Sequence, residues 1–122
     1  VASRDVQVFV AELGGEIVGF VGGGALREPL QDYDAELFAI YLLKQAQRRG
    51  IGTALLKALA ESLNAKGFKS MAAWVLEGNS SSHFYERSGA VRLLSKEIEV
   101  GGAMLPVVAY GWPDLEVIAL AL

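Results

Sequence analysis

The 122-residue chain has no cysteine, which removes disulfides, thiolate zinc sites and a cysteine nucleophile. Histidine is nearly as scarce. His83 stands alone, with no second ligand close in sequence, so no metal is expected and a surface position is favoured. A basic excess is also missing: 11 basic against 14 acidic side chains leave a charge of −3, which gives no support for nucleic-acid binding. No apolar run approaches the ~18–20 residues that a membrane span requires. The longest runs, 36–43 and 115–122, have strand or short-helix length. Repeats, low-complexity tracts and linkers are absent. No signal peptide is visible, because Arg4, Asp5 and Gln7 interrupt the start, so a cytoplasmic protein is expected. The chain also begins without Met and enters a strand pattern at once, so an upstream part of the gene product is expected.

What the chain does have is apolar residues, at 52% with a mean hydropathy of +0.34. At this length they argue for one domain over 1–122 in which most segments bury a face. Residues 6–13 alternate as a strand, and Gly14-Gly15 signals a hairpin into a second strand over 16–26. Gly22-Gly23-Gly24 would weaken an ordinary strand, so a bulge or close backbone approach is expected there. Residues 27–34 read as a loop. The run 36–43 (ELFAIYLL) suits a strand buried on both faces. From 50 to 66 the period changes: Ile51, Leu55, Leu59 and Leu63 recur every four residues, an amphipathic helix stopped by Gly67. A strand over 70–76 follows, then a short helix to about Arg87, capped by Asn79 or Ser80 and ended by Gly89. Two strands, 91–100 and 104–112, flank Gly101-Gly102. The tail 113–122 has no assignment, and Trp74 and Trp112 read as core or interface residues. The order β-β-β-α-β-α-β-β predicts an α/β (α+β) fold. Its sheet is mixed and mostly antiparallel, with one central parallel β-α-β crossover.

Gly50 and Gly52 fall where the buried strand passes through a short polar loop into the long helix. A first helical turn has unpaired N–H groups and partial positive charge, and glycines let an anion approach that backbone. Arg48, Arg49 and Thr53 add charge and a hydroxyl, so the segment suits a diphosphate. GxxxxGK[ST] is absent, which argues against a P-loop. The dinucleotide fingerprint fails at Leu55. A glycine turn with solvated arginines fits the local pattern as well.

Joined to its neighbours, the segment resembles the GNAT superfamily of acyl-CoA-dependent N-acetyltransferases, over nearly the whole chain. The family's Gln/Arg-x-x-Gly-x-Gly/Ala stands here as Gln47-Arg48-Arg49-Gly50-Ile51-Gly52. The preceding strand, Glu36-Leu37-Phe38-Ala39-Ile40-Tyr41-Leu42, resembles the family's strand with an acidic start. Asn79 with Phe84-Tyr85-Glu86-Arg87-Ser88-Gly89 resembles its second block. Two departures stand out. Lys44 occupies a place where Pro is common, and the family's opening strand and two helices, which wall the acceptor site, have no counterpart. The exposed face or edge that this implies is one that a homodimer would cover.

The resemblance implies acetyl-CoA as co-substrate and a small-molecule or peptide amine as acceptor, with neither nucleic acid nor membrane as partner. It further implies that strands 36–43 and 70–76 splay apart. Pantetheine would then pair with the backbone of Tyr41, Leu42 and Leu43, and pyrophosphate would sit on Gln47, Arg48, Arg49, Gly50, Ile51, Gly52 and Thr53. The Leu42 N–H becomes the donor to the thioester carbonyl. Tyr85 is the candidate general acid and Glu36 the candidate base; a core tyrosine and an exposed strand-end carboxylate are the alternatives. Asn79 either bonds pantetheine or caps its helix. The implied activity is N-acetyl transfer by direct attack in a ternary complex, and its alternative is a non-catalytic acyl-CoA-binding or interaction domain.

Overall fold

A computed structural model describes residues 6–121; the start of the chain at Arg4 and Asp5 lies outside them. Strands β1 (Gln7–Leu13) and β2 (Glu16–Ala25) form the first hairpin, and β3 is Ala35–Leu42. A 3-10 turn, Lys44–Ala46, leads to α1 (Ile51–Ala65), then β4 (Met71–Leu76) and α2 (Ser81–Arg87). β5 (Val91–Val100) and β6 (Ala103–Trp112) make the last hairpin. The unassigned tail contributes α3, Leu115–Ala121, which buries Leu115 and Ile118 beside α1. The six strands form one sheet in the order β1-β2-β3-β4-β6-β5. Only β3 and β4 are parallel, as the crossover through α1 requires.

Period decides which face each element buries. α1 turns Leu55, Leu56, Leu59, Ala60 and Leu63 inward, against Val21 of β2, Leu37 of β3 and Met71 and Ala73 of β4. Gly23 permits that close fit. A Cβ there would lie 2.6 Å from the Glu36 carbonyl oxygen and 2.9 Å from Leu59 Cδ2. Beside it Gly22 faces Ala39 while Gly23 faces Leu37, so Phe38 is an extra residue on β3. The glycine run thus carries both a bulge and a close approach. On the opposite face the β2–β3 loop folds over the sheet, where Leu30 packs with Ala72 and Ala109 and is flanked by Tyr33 and Trp74. Farther along that face Val8, Val10, Phe20 and Tyr41 are exposed.

One expectation needs correcting. The ELFAIYLL run is buried only at its start, from Ala35 to Leu37, and then alternates with exposed Ala39 and Tyr41. The cause is β4, which pairs with β3 through Ala35–Met71, Glu36–Ala72 and Leu37–Ala73 and no further. The apex of this V is fixed by Asp34. Its carboxylate accepts from the Lys69 N–H (3.0 Å), the Ser70 N–H (2.9 Å) and the Ser70 hydroxyl (3.1 Å), and Ala35 N–H donates to the Ser70 carbonyl.

Candidate functional site

Beyond Leu37 the edge of β3 that faces β4 has no strand partner. Leu43 donates its N–H to Val18 of β2 (2.8 Å). Strand alternation therefore turns the Leu42 N–H and C=O the other way, into the gap. The Leu42 carbonyl takes a hydrogen bond from Gln47 Nε2 (3.2 Å), which ties the loop before α1 to this edge. The Leu42 N–H is left as a donor in the gap.

The gap opens into a cleft of about 540 Å³ between β3, the start of α1 and α2. Of the residues singled out from sequence, Tyr41, Leu42, Gln47, Arg48, Gly50, Gly52 and Thr53 line it together. Leu43, Arg49, Ile51, Asn79, Glu36 and Tyr85 do not. No side chain caps α1, whose preceding Gly50 is left-handed (φ 77°), and Arg48 is left-handed as well (φ 65°). The N-terminal turn therefore meets the cleft with its N–H groups uncapped and Arg48 beside them, an anion-attracting end in a chain of net negative charge. The far wall comes from α2 and was missed from sequence: Ser80, Ser81, His83, Phe84 and Arg87. Helical spacing could have found it. Adjacent Phe84 and Tyr85 point about 100° apart, so when one faces the cleft the other faces the core.

Tyr85 takes the core side. Only 4% of it is exposed, and its ring lies edge-on to Trp112 (5.3 Å, 76°) and Tyr110 (6.0 Å, 62°). Burial pushes its hydroxyl up to about 12, because the phenolate would lose its water. Asn79 acts as a cap, its Oδ1 accepting the Ser81 N–H at 2.8 Å. Glu36 is buried, at 3% exposure, and it is ion-paired. Arg27 donates to it from its backbone N–H (3.2 Å), its Nε (3.1 Å) and its Nη2 (2.7 Å), a two-pronged charge-assisted contact. The bond to Glu36 in turn raises the Arg27 guanidinium above its ordinary value. Arg27, which no sequence pattern identified, also lies 4.5 Å over the Phe38 ring.

The chain finds counterparts among known proteins. The model of the Acetyltransferase (GNAT) family matches residues 2–90. The uncharacterized N-acetyltransferase YuaI of Bacillus subtilis is 44% identical over 115 residues, covering 93% of this chain; the chain spans 66% of that relative's length. Among solved structures, the ribosomal-protein-alanine N-acetyltransferase of Brucella melitensis superposes with a TM-score of 0.72 at 26% identity, over 88% of this chain and 68% of that one. yncA from Salmonella typhimurium, solved with its cofactor acetyl-CoA, gives 0.73 at 21% identity over 91% and 65%. The chain belongs to the GNAT family of acetyltransferases.

Proposed function

We propose that this domain binds acetyl-CoA in the cleft and moves its acetyl group to a primary amine by direct attack in a ternary complex. The observation that carries this reading is the free edge of β3 next to the uncapped start of α1. Together they offer backbone donors for an amide-bearing arm at one end and an anion site at the other. The pyrophosphate is held by the 50–53 backbone with Arg48, and Gln47 keeps that loop against Leu42. Arg49 and Thr53 supply further charge and a hydroxyl, and the acyl arm lies along the gap-facing edge of β3 at Leu42, since the backbone groups of Tyr41 and Leu43 face β2. The Leu42 N–H polarises the thioester carbonyl. The amine nitrogen then bonds to the carbonyl carbon, the carbon–sulfur bond breaks, and the sulfur leaves as a thiolate that must be protonated.

Tyr85 is the proposed proton donor and Glu36 the proposed acceptor of the amine's proton. Neither group lines the cleft, and each is committed elsewhere, Tyr85 to the core and Glu36 to Arg27. That observation favours a second reading, a domain that binds acyl-CoA without turning it over. One measurement tests both readings and another separates them. Acetyl-CoA should raise the melting temperature under both. Thiol release over a panel of amines should exceed hydrolysis only under the first. No thermal shift at millimolar acetyl-CoA would rule out both.

A further inference from the structure

On the face opposite α1, Trp74 is the first β4 residue past the last paired rung, Leu37–Ala73. It stands on that face with Ala72, the register partner of Glu36, so it borders the point where the V begins to open. The indole already carries a cation: Lys96 of β5 places its Nζ 4.6 Å from the ring centroid. The same ammonium lies 3.9 Å from Glu28 Oε1, on the loop that folds over this face. Lys96 is half exposed and Glu28 is 81% exposed, so solvent screens their pair and the ammonium is weakly held.

Resting on the proposed acetyl transfer, we infer that Trp74 and Glu28 form the recognition site for the acceptor, an aliphatic primary ammonium, and that Lys96 is its displaceable placeholder. The chemistry selects for charge and shape. An aromatic face attracts a cation through its quadrupole and gives a neutral alcohol nothing comparable, while the Glu28 carboxylate repels an acidic acceptor. The nearby guanidinium does not compete, since Arg27 is bonded to Glu36. A lysine-like stem fits because Lys96 itself reaches the ring in that way. The charged side chains that line the cleft around α1, Arg48 and Arg87, are cationic and would repel such an acceptor.

Steady-state kinetics with putrescine and with a lysine-containing peptide, run side by side, test the assignment and identify the source of the amine. Lys96→Ala, a change at an exposed residue, should lower the acceptor KM by about 2–5-fold, because it removes a competitor of ordinary cation–π strength. Trp74→Phe should raise it by a similar factor, and Glu28→Gln should raise it as well. The KM for acetyl-CoA should stay constant in all three. A Lys96→Ala variant whose acceptor KM rises or does not move would overturn the inference, as would equal use of a neutral isosteric alcohol. Should no amine turn over, fluorescence still decides the point. With CoA bound, putrescine or the peptide should change the emission of Trp74 and leave Trp74→Phe, which keeps only the buried Trp112, unaffected. An unchanged wild-type signal would overturn the site, whereas a saturating signal without turnover would overturn catalysis alone.

Discussion

Removing Arg27 should expose how much of the sheet's opposite face depends on one ion pair. Glu36 is 3% exposed and receives both the Nε and the Nη2 of Arg27, at 3.1 and 2.7 Å. Arg27→Ala leaves that carboxylate buried with only the residue-27 backbone N–H, at 3.2 Å. Stripping one partner from a buried pair costs about 3–5 kcal/mol. Because the Arg27 side chain is 64% exposed and screened by water, roughly 1.5–3 kcal/mol is the better expectation here. For a domain of this size, that corresponds to a fall in Tm of roughly 5–15 °C. Glu36→Gln removes the charge that needs the partner, so the double variant Arg27→Ala/Glu36→Gln should recover about half of the loss or more, a coupling on the order of 1–2 kcal/mol. Urea unfolding of the four proteins at neutral pH measures all of this. An Arg27→Ala protein within about 0.5 kcal/mol of wild type, or a double variant no more stable than it, would refute the reasoning.

Further perturbations separate fold from site. Gly52→Ala should fold normally, since its Cβ would sit 3.5 Å from the Phe84 ring, an ordinary contact. It should nevertheless weaken CoA binding about tenfold or more, by calorimetry, if pyrophosphate approaches that backbone. Gly23→Ala should do the reverse, losing about 1–3 kcal/mol of stability to overpacking against the Glu36 carbonyl and Leu59. Arg48→Gly should hold its Tm within a few degrees, because glycine suits the left-handed φ of 65°, while CoA affinity falls several-fold. Tyr85 should also leave a mark in alkali. Its hydroxyl is raised from 10 to about 12, so the stability it supports is intact below about pH 10 and is lost as pH rises through about 12. Tyr85→Phe should lack roughly 1–1.5 kcal/mol of that alkaline loss between about pH 9 and 11, read from denaturation midpoints at the two pH values. If Tyr85 is also the proton donor, the same variant should lower turnover at unchanged CoA affinity.

The sequence announced what depends on short-range pattern. The four-residue period of Ile51, Leu55, Leu59 and Leu63 and the Gly-Gly hairpins are written in neighbouring residues, and they stand in the fold as read. The Gly22–Gly24 run was also readable as a steric necessity. Pairings across long separations were not. Arg27 meets Glu36 across a loop whose path no periodicity encodes, and Asp34 finds Ser70 at a distance of 36 residues. The strand 36–43 looked doubly buried because its composition is apolar. Composition cannot report that the neighbouring strand departs after Leu37. Tyr85 lies in the core and Phe84 lines the cleft: a family motif names residues, whereas a helix with a turn of 100° per residue decides which of them faces inward. The tail 113–122 had no assignment, because a single apolar spacing such as Leu115 to Ile118 is too short to announce the helix that buries them.

The V between β3 and β4 is also a mechanical object. Two half-sheets, β1–β3 and β4–β6, meet at three rungs that begin beside the Asp34 clasp, and past them no ladder pairing joins the halves. A ligand threaded along the free edge of β3 would act as a wedge that stiffens the joint. Its arrival should then be felt far from the cleft, as slower amide exchange along β4 and β6. Asp34→Ala would loosen the apex and make that stiffening larger, although the residue touches no part of the cleft.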